Sequence, residues 1–234
     1  MTQRADARLA GFAYLSYIVF AMSSSILFAK VTAGDDALET LSTLARMIST
    51  ARVTVLLDLL QPVCALVLAV TLYKLVKAVN HTIALLAMLF RVGEGLLASF
   101  PILGKLELMR LATDRDAVAA NVPSYLPLVN EILHRPDEGF SAFFFVVGGF
   151  LFAYLFLKGR LIPHWLAWTG VVTIGAQLIC VPLHIAMMIP GSIVNWMWFP
   201  ILLYEVPLGI WLIVKGVEGP SDSSVAMGED ISRR

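Results

Sequence analysis

Phe90-Arg91-Val92-Gly93-Glu94-Gly95 is a polar interruption in an apolar run that extends over residues 83–103. A run of this length is long enough to cross a bilayer as a helix. Residues three apart share one helix face, so Arg91 and Glu94 would project together. Counted along the helix at about 1.5 Å per residue, they lie roughly 14 and 18 Å deep, near the middle of the bilayer. Polar side chains at that depth require partners, which other parts of the chain are expected to supply.

The composition assigns the whole chain to the membrane class. Hydrophobic residues make up 59% of its 234 residues and charged residues only 15%, and the mean hydropathy is +0.81. About a quarter of the residues are charged in an average soluble domain. The chain is therefore expected to be an integral membrane protein. Its 17 basic and 17 acidic residues balance, and no basic block within the chain indicates a nucleic-acid partner.

Six apolar runs are long enough to cross a bilayer. They cover residues 9–29, 53–77, 82–104, 140–157, 162–189 and 194–214. The pattern predicts an all-α fold, a polytopic bundle of six transmembrane helices formed by residues 1–217. The first run is too long for the apolar part of a signal peptide and is interpreted as a span. Residues 218–234 are rich in Ser, Asp and Glu and are expected to form a disordered cytoplasmic tail.

Two long polar connections separate these runs, at residues 30–52 and 105–139. Helical spacing of apolar residues over 38–48 predicts an amphipathic surface helix in the first connection. A second short surface helix is predicted over residues 125–133.

Basic residues predict the orientation of the bundle. They flank the short connections after the second and fourth spans and occur near both termini, which predicts an N-in/C-in topology with the long connections outside. The tryptophans fit this orientation, since Trp165 and Trp168 fall near the inner interface and Trp196 and Trp198 near the outer one. The location predicted from this pattern is the inner (plasma) membrane of the cell.

Ionisable and amide side chains on four spans predict a polar site. Glu205 lies roughly 16 Å and Asp58 about 9 Å from the predicted outer face at 1.5 Å per residue, and His184 is similarly shallow. With Arg91 and Glu94 they are expected to line an outward-facing cavity. The predicted ligand-binding and proton-binding residues are Arg91, Glu94, Glu205, Asp58, His184, Gln61 and Gln177.

The charges of these residues do not balance, because three carboxylates face Arg91 and at most one histidine cation. An unpaired carboxylate in a membrane should hold a proton or meet a cation. The alternative is that Arg91 and Glu94 neutralise each other and Glu205 only hydrogen-bonds a neighbouring helix.

A divalent metal would suit the carboxylates and His184. However, no paired metal-ligand spacing occurs and Arg91 opposes a cation, so no metal site and no particular cofactor are predicted.

Three functions remain open at this stage. In the first, the protein binds or transports a small or lipid-like ligand, with Arg91 holding an anionic group and Glu94 or Glu205 taking up a proton. In the second, it is an intramembrane enzyme that uses the carboxylates and His184 for acid–base chemistry on a lipidic substrate. In the third, it is a non-catalytic sensor or partner-binding subunit. Expected partners are membrane lipids, the ligand and a second copy of the chain, since six spans are few for a lone carrier.

Several stretches resemble a family of bacterial multispan membrane proteins, the domain of unknown function numbered four-three-eight-six. They lie at residues 8–15, 72–80, 84–86, 90–94, 155–163, 204–205 and 211–216. The resemblance implies a compact bundle in which Arg91, Glu94 and Glu205 occupy signature positions, and it implies no known activity. Where the family usually has Arg after the proline of the fifth span, this chain has His164, which weakens the charge argument for the inner surface.

Overall fold

The computed structural model describes residues 2–113, 127, 129–130 and 138–217. Its long helices are α1 (Gln3–Val31), α2 (Ala37–Arg46), α3 (Ile48–Val76), α4 (His81–Leu97), α5 (Pro101–Thr113), α6 (Glu138–Gly159), α7 (His164–Ile185) and α8 (Gly191–Val214). Within these described ranges, six segments are long and apolar enough to cross a membrane: α1, α3, α4 together with α5, α6, α7 and α8. The predicted all-α bundle of six spans is confirmed. The predicted tail, residues 218–234, lies outside the described residues.

The six spans form a closed ring. α1 packs on α3, α3 on α4, α4 on α6, α6 on α7, and α7 on α8, and α8 packs back on α1. α3 also touches α6 across the ring. Within the described residues, the backbone of α4 does not closely approach that of α1 or α8. Long side chains from these three helices can therefore meet only in the centre of the ring.

The α1–α8 contact depends on glycine. A Cβ atom on Gly11 would lie 2.5 Å from the Gly209 carbonyl oxygen and 2.7 Å from Cγ1 of Ile213. Small residues allow such close approach of membrane helices, whose backbones then pack directly. Gly11 and Gly209 thus close the ring.

Gly11→Ala is expected to destabilise the protein by about 1–3 kcal/mol, the usual cost of overpacking. The carbonyl of Gly209 is backbone and cannot turn away from the added methyl group. The measurement is the free energy of unfolding in detergent. Gly175→Ala is the control, because its Cβ would meet only the Phe150 ring, at 3.3 Å. Equal stability of the two variants would contradict the direct packing of α1 on α8.

A second apolar cluster forms where α2 and α5 pack together beside α3. Val31, Leu41, Leu44, Leu108 and Leu111 are buried there. The predicted amphipathic segment of the first connection is thus helical, with its apolar face turned to α5. Its predicted position on the membrane surface stays a prediction.

The second long connection was predicted to begin at residue 105, and this is wrong. After a short break at residues 98–100, the chain resumes a helix at Pro101 and continues to Thr113. Proline suits the first position of a helix because the amide it lacks would have no partner there. The helix predicted over residues 125–133 lies outside the described residues, except for 127, 129 and 130, which are helical.

Both ends of the described chain lie at one end of the ring, called the terminal end below. Gly216 lies against Ala7, and Nζ of Lys74 lies 3.2 Å from Oδ1 of Asp6. In the described part of the chain, Asp6 is the acidic residue at this end, whereas the basic ones are Arg4, Arg8, Lys74, Lys77, Lys158, Arg160 and Lys215. The opposite end carries α2 and α5.

Candidate functional site

Arg91, Glu94 and Glu205 meet in the centre of the ring, and together they are called the central cluster. Nη1 of Arg91 lies 2.7 Å from Oε2 of Glu94, and Nη2 lies 3.9 Å from Oε1 of Glu205. The three side chains are 1%, 1% and 5% exposed. All three residues lie well inside their helices, α4 and α8. The structure therefore brings together three of the seven predicted site residues at mid-span depth.

Aromatic side chains enclose the Arg91 guanidinium. Its carbon lies 4.7 Å from the ring centre of Phe145, 5.6 Å from that of Tyr14 and 5.9 Å from that of Tyr17. Rings at these distances attract a desolvated cation through their electron-rich faces. The Tyr17 hydroxyl also donates a hydrogen bond of 2.9 Å to Oε1 of Glu94. Four helices thus contribute side chains to the site: α1 and α6 supply the aromatic rings, and α4 and α8 supply the charged groups.

The sequence prediction missed these aromatic residues. Tyr14 and Tyr17 are three apart in the first apolar run, which places both hydroxyls on one helix face. That spacing was the available signal. Phe145 carried no comparable signal, because phenylalanine is common in membrane spans.

Part of the central cluster has unused hydrogen-bonding capacity. Nε and Nη2 of Arg91 and Oε1 of Glu205 are buried and have no hydrogen-bond partner among the described residues. The 3.9 Å between Nη2 and Oε1 exceeds a direct hydrogen bond. Two guanidinium donors and one carboxyl oxygen therefore face the ring interior with free bonding capacity.

The net charge of the central cluster is unbalanced. Full ionisation would place two carboxylates against one guanidinium and leave one excess negative charge. Burying an uncompensated charge costs several kcal/mol, so a buried carboxylate without its own cation tends to be neutral. The phenol groups of Tyr14, Tyr17 and Tyr204 surround the carboxylates and add no positive charge. A proton on one carboxylate restores neutrality.

Asp58 belongs to a second polar cluster, which α1, α3 and α5 form. Oδ2 of Asp58 lies 2.7 Å from Nζ of Lys105. Oδ1 accepts hydrogen bonds from the Ser24 hydroxyl and from Nε2 of Gln61, the latter at 3.1 Å. Nζ of Lys105 also lies 4.3 Å from the ring centre of Phe28. We call Asp58, Lys105, Ser24 and Gln61 the latch cluster.

The latch cluster changes the charge balance predicted from the sequence. Lys105 lies in the predicted second connection and does not enter the predicted charge balance, yet it forms an ion pair with Asp58. The carboxylate excess therefore falls on the central cluster alone. The structure places Asp58 and Gln61 with Lys105 rather than with Arg91.

His184 and Gln177 lie apart from both clusters. Nδ1 of His184 is 3.1 Å from the Ile189 carbonyl oxygen, in the connection to α8. Nε2 of Gln177 donates to the Val194 carbonyl at 3.3 Å, and its buried Oε1 has no partner among the described residues. The described residues give no evidence of a cavity that joins all seven predicted residues.

A metal centre finds no support in the same part of the chain. No group of three His, Cys, Asp or Glu side chains that could hold a metal ion occurs in the described ranges. The cation of the central cluster is Arg91 itself.

Comparison with known proteins assigns the chain to a family. A family model described as Domain of unknown function (DUF4386) matches residues 9–216. The chain belongs to this family. The DUF4386 match spans the ring and includes Arg91, Glu94 and Glu205. No curated protein and no solved structure matches the chain. The DUF4386 description assigns no function.

Proposed function

We propose that this DUF4386 protein is a proton-linked membrane protein that binds or transports a small or lipid-like ligand. The central cluster is its proton site. The observation that carries the proposal is the meeting of two carboxylates with one guanidinium at mid-span, where an excess charge is expensive. Intramembrane ionisable groups of this kind serve proton relays and substrate sites in pumps and transporters.

Glu205 is the carboxyl group that holds the proton in this proposal. Glu94 accepts two short hydrogen bonds, from Arg91 at 2.7 Å and from Tyr17 at 2.9 Å, and both stabilise its ionised form. Glu205 has one such bond, from the Tyr14 side chain, while its Oε1 lies 3.9 Å from Arg91 and has no hydrogen-bond partner among the described residues. The weaker support of its negative charge favours protonation of Glu205.

Ligand binding and protonation would be linked through Arg91. An anionic ligand group would bind to Nε and Nη2, the two donors that Glu94 does not use. An ionised Glu205 would compete for the same donors, so its protonation would favour the anion. The linkage is reciprocal, and the anion would favour the proton equally. Pro200 and Pro207 flank Glu205 within α8, and proline removes the backbone hydrogen bonds that keep a helix rigid.

No specific observation favours the enzyme alternative. It needs His184 next to a carboxylate, and the described contacts of His184 are with the connection between α7 and α8.

The proposal includes an N-in/C-in topology in the inner membrane. The basic residues of the terminal end support it, because cytoplasmic segments are enriched in Lys and Arg.

Glu205→Gln is expected to abolish a pH dependence of stability that the wild-type protein shows. If folded Glu205 holds a proton that the unfolded chain releases, the folded state loses stability as the pH rises above about 5, where an unfolded glutamate ionises. The slope approaches about 1.4 kcal/mol per pH unit for one proton. The neutral glutamine cannot release a proton, so its profile should be flat in this range. The measurement is thermal unfolding in detergent from about pH 5 to pH 9.

Glu107→Gln is the matched control for this experiment. The Glu107 side chain is 45% exposed and lies 3.6 Å from Arg110. Its replacement by glutamine should therefore leave the pH profile of stability unchanged. A Glu205→Gln profile that matches the wild type would remove Glu205 from the proton site.

A further inference from the structure

A surface pocket of about 330 Å³ lies at the terminal end, where α6 connects to α7. Its lining consists of Leu157, Arg160, Ile162, Pro163, His164 and Ala167. The proposed proton site lies in the ring interior and shares no residue with this pocket.

The polar side chains that line this pocket are Arg160 and His164, and neither is a carboxylate that would repel an anion. The Arg160 guanidinium has no hydrogen bond or ion pair within the described part of the chain. Nε2 of His164 accepts a hydrogen bond of 2.9 Å from the Trp168 indole. In the neutral imidazole the proton is then on Nδ1, which is left as a donor. The first turn of α7 adds backbone amides that no side chain caps.

The remaining walls and the surroundings of the pocket are apolar. Leu157, Ile162 and Ala167 line it, and the neighbouring Trp165 and Trp168 are 61% and 47% exposed. Exposed tryptophans at the end of a membrane span lie at the level of the lipid headgroups. The pocket therefore places the exposed Arg160 side chain beside apolar walls, at the depth of the headgroup layer.

We propose that this pocket binds the phosphate group of an anionic phospholipid. Guanidinium groups bind phosphate through paired, charge-assisted hydrogen bonds, and basic pockets between membrane helices bind anionic headgroups. The apolar wall and the exposed tryptophans would lie along the acyl chains, which a soluble phosphate does not have. The basic surplus of the terminal end adds a long-range attraction for anionic lipid.

The backbone of Arg160 provides a clean test of this proposal. Arg160 has a φ of 50°, in the left-handed region where a side chain is strained and glycine is not. Arg160→Gly therefore removes the guanidinium and relieves the backbone at once. Loss of lipid binding in this variant cannot be attributed to unfolding if its thermal stability equals or exceeds that of the wild type.

The experiment is native mass spectrometry of the purified full chain in micelles that contain equal amounts of phosphatidylglycerol and phosphatidylcholine. The wild type should retain phosphatidylglycerol in preference to phosphatidylcholine. Arg160→Gly should weaken phosphatidylglycerol binding about tenfold. Lys158→Gln is the control of equal charge change, because Lys158 contacts the Tyr154 ring, at 5.8 Å, and does not line the pocket. It should weaken binding less than about twofold.

Three results would overturn the proposal. Equal weakening by Arg160→Gly and Lys158→Gln would show that only the overall charge attracts the lipid. If the wild type retains the two lipids equally, and Arg160→Gly changes the retention of neither lipid, the pocket does not select a headgroup. A parallel titration with inorganic phosphate separates the sources: Arg160-dependent phosphate binding without lipid preference would assign the pocket to a soluble anion and contradict the lipid. Glu205→Gln should not change any of these results.

Discussion

Replacing Arg91 with methionine is expected to lower the free energy of unfolding by about 3–5 kcal/mol, the usual cost of removing one partner of a buried ion pair. The Glu94 carboxylate would lose its 2.7 Å contact with Arg91 and remain buried, with the Tyr17 hydroxyl as its hydrogen-bond donor among the described residues. The three rings that face the guanidinium would also lose their cation. The measurement is reversible unfolding of the purified protein by sodium dodecyl sulfate.

The double variant Arg91→Met/Glu94→Gln separates charge from packing. It removes both partners of the ion pair and leaves Glu205, which is neutral when protonated. Replacement of a buried pair by neutral groups of similar volume is often tolerated, so the double variant should be more stable than Arg91→Met alone. If the double variant loses as much as the two single variants combined, Arg91 and Glu94 contribute independently and the central cluster is not an electrostatic unit.

Asp58→Ala is expected to cost about 2–3 kcal/mol, less than a fully buried pair would lose, because the Lys105 side chain is 16% exposed and can extend toward solvent. The substitution leaves Lys105, Ser24 and Gln61 without their common acceptor. Since Lys105 is on α5, the loss should first release α5 from α1 and α3. Hydrogen exchange in α5 measures this release, and unfolding measures the total cost.

Arg110→Ala is the control for the latch cluster. Arg110 is also on α5 and lies 3.6 Å from Glu107, but its side chain is 80% exposed. Exposed pairs contribute about 0–1 kcal/mol, so exchange in α5 should be nearly unchanged. Similar exchange in the Asp58 and Arg110 variants would show that the latch cluster does not hold α5.

Hydropathy and helical spacing were sufficient to predict the six spans and the Arg91–Glu94 pair. Both depend on local properties, since an apolar run must span the bilayer and residues three apart must share a face. The meeting of Arg91 with Glu205 also followed from depth, because both residues were predicted near mid-span.

The rest of the site depends on which helices face each other. Asp58 and Glu205 both belong to apolar runs, yet the ring order turns Asp58 toward Ser24 and Lys105 and not toward Arg91. Lys105 falls in the predicted second connection because its surroundings are more polar, and hydropathy alone does not reveal the helix that begins at Pro101. The depth and spacing of residues along a single helix do not show which other helices pack against it.

The most direct test of a proton on Glu205 is infrared spectroscopy of the folded protein at neutral pH. A buried protonated carboxyl group gives a C=O band that shifts in heavy water. We predict this band in the wild type and in Glu107→Gln, and its loss in Glu205→Gln. A wild-type spectrum without the band, or a band that persists in Glu205→Gln, would contradict the proposed protonation of Glu205.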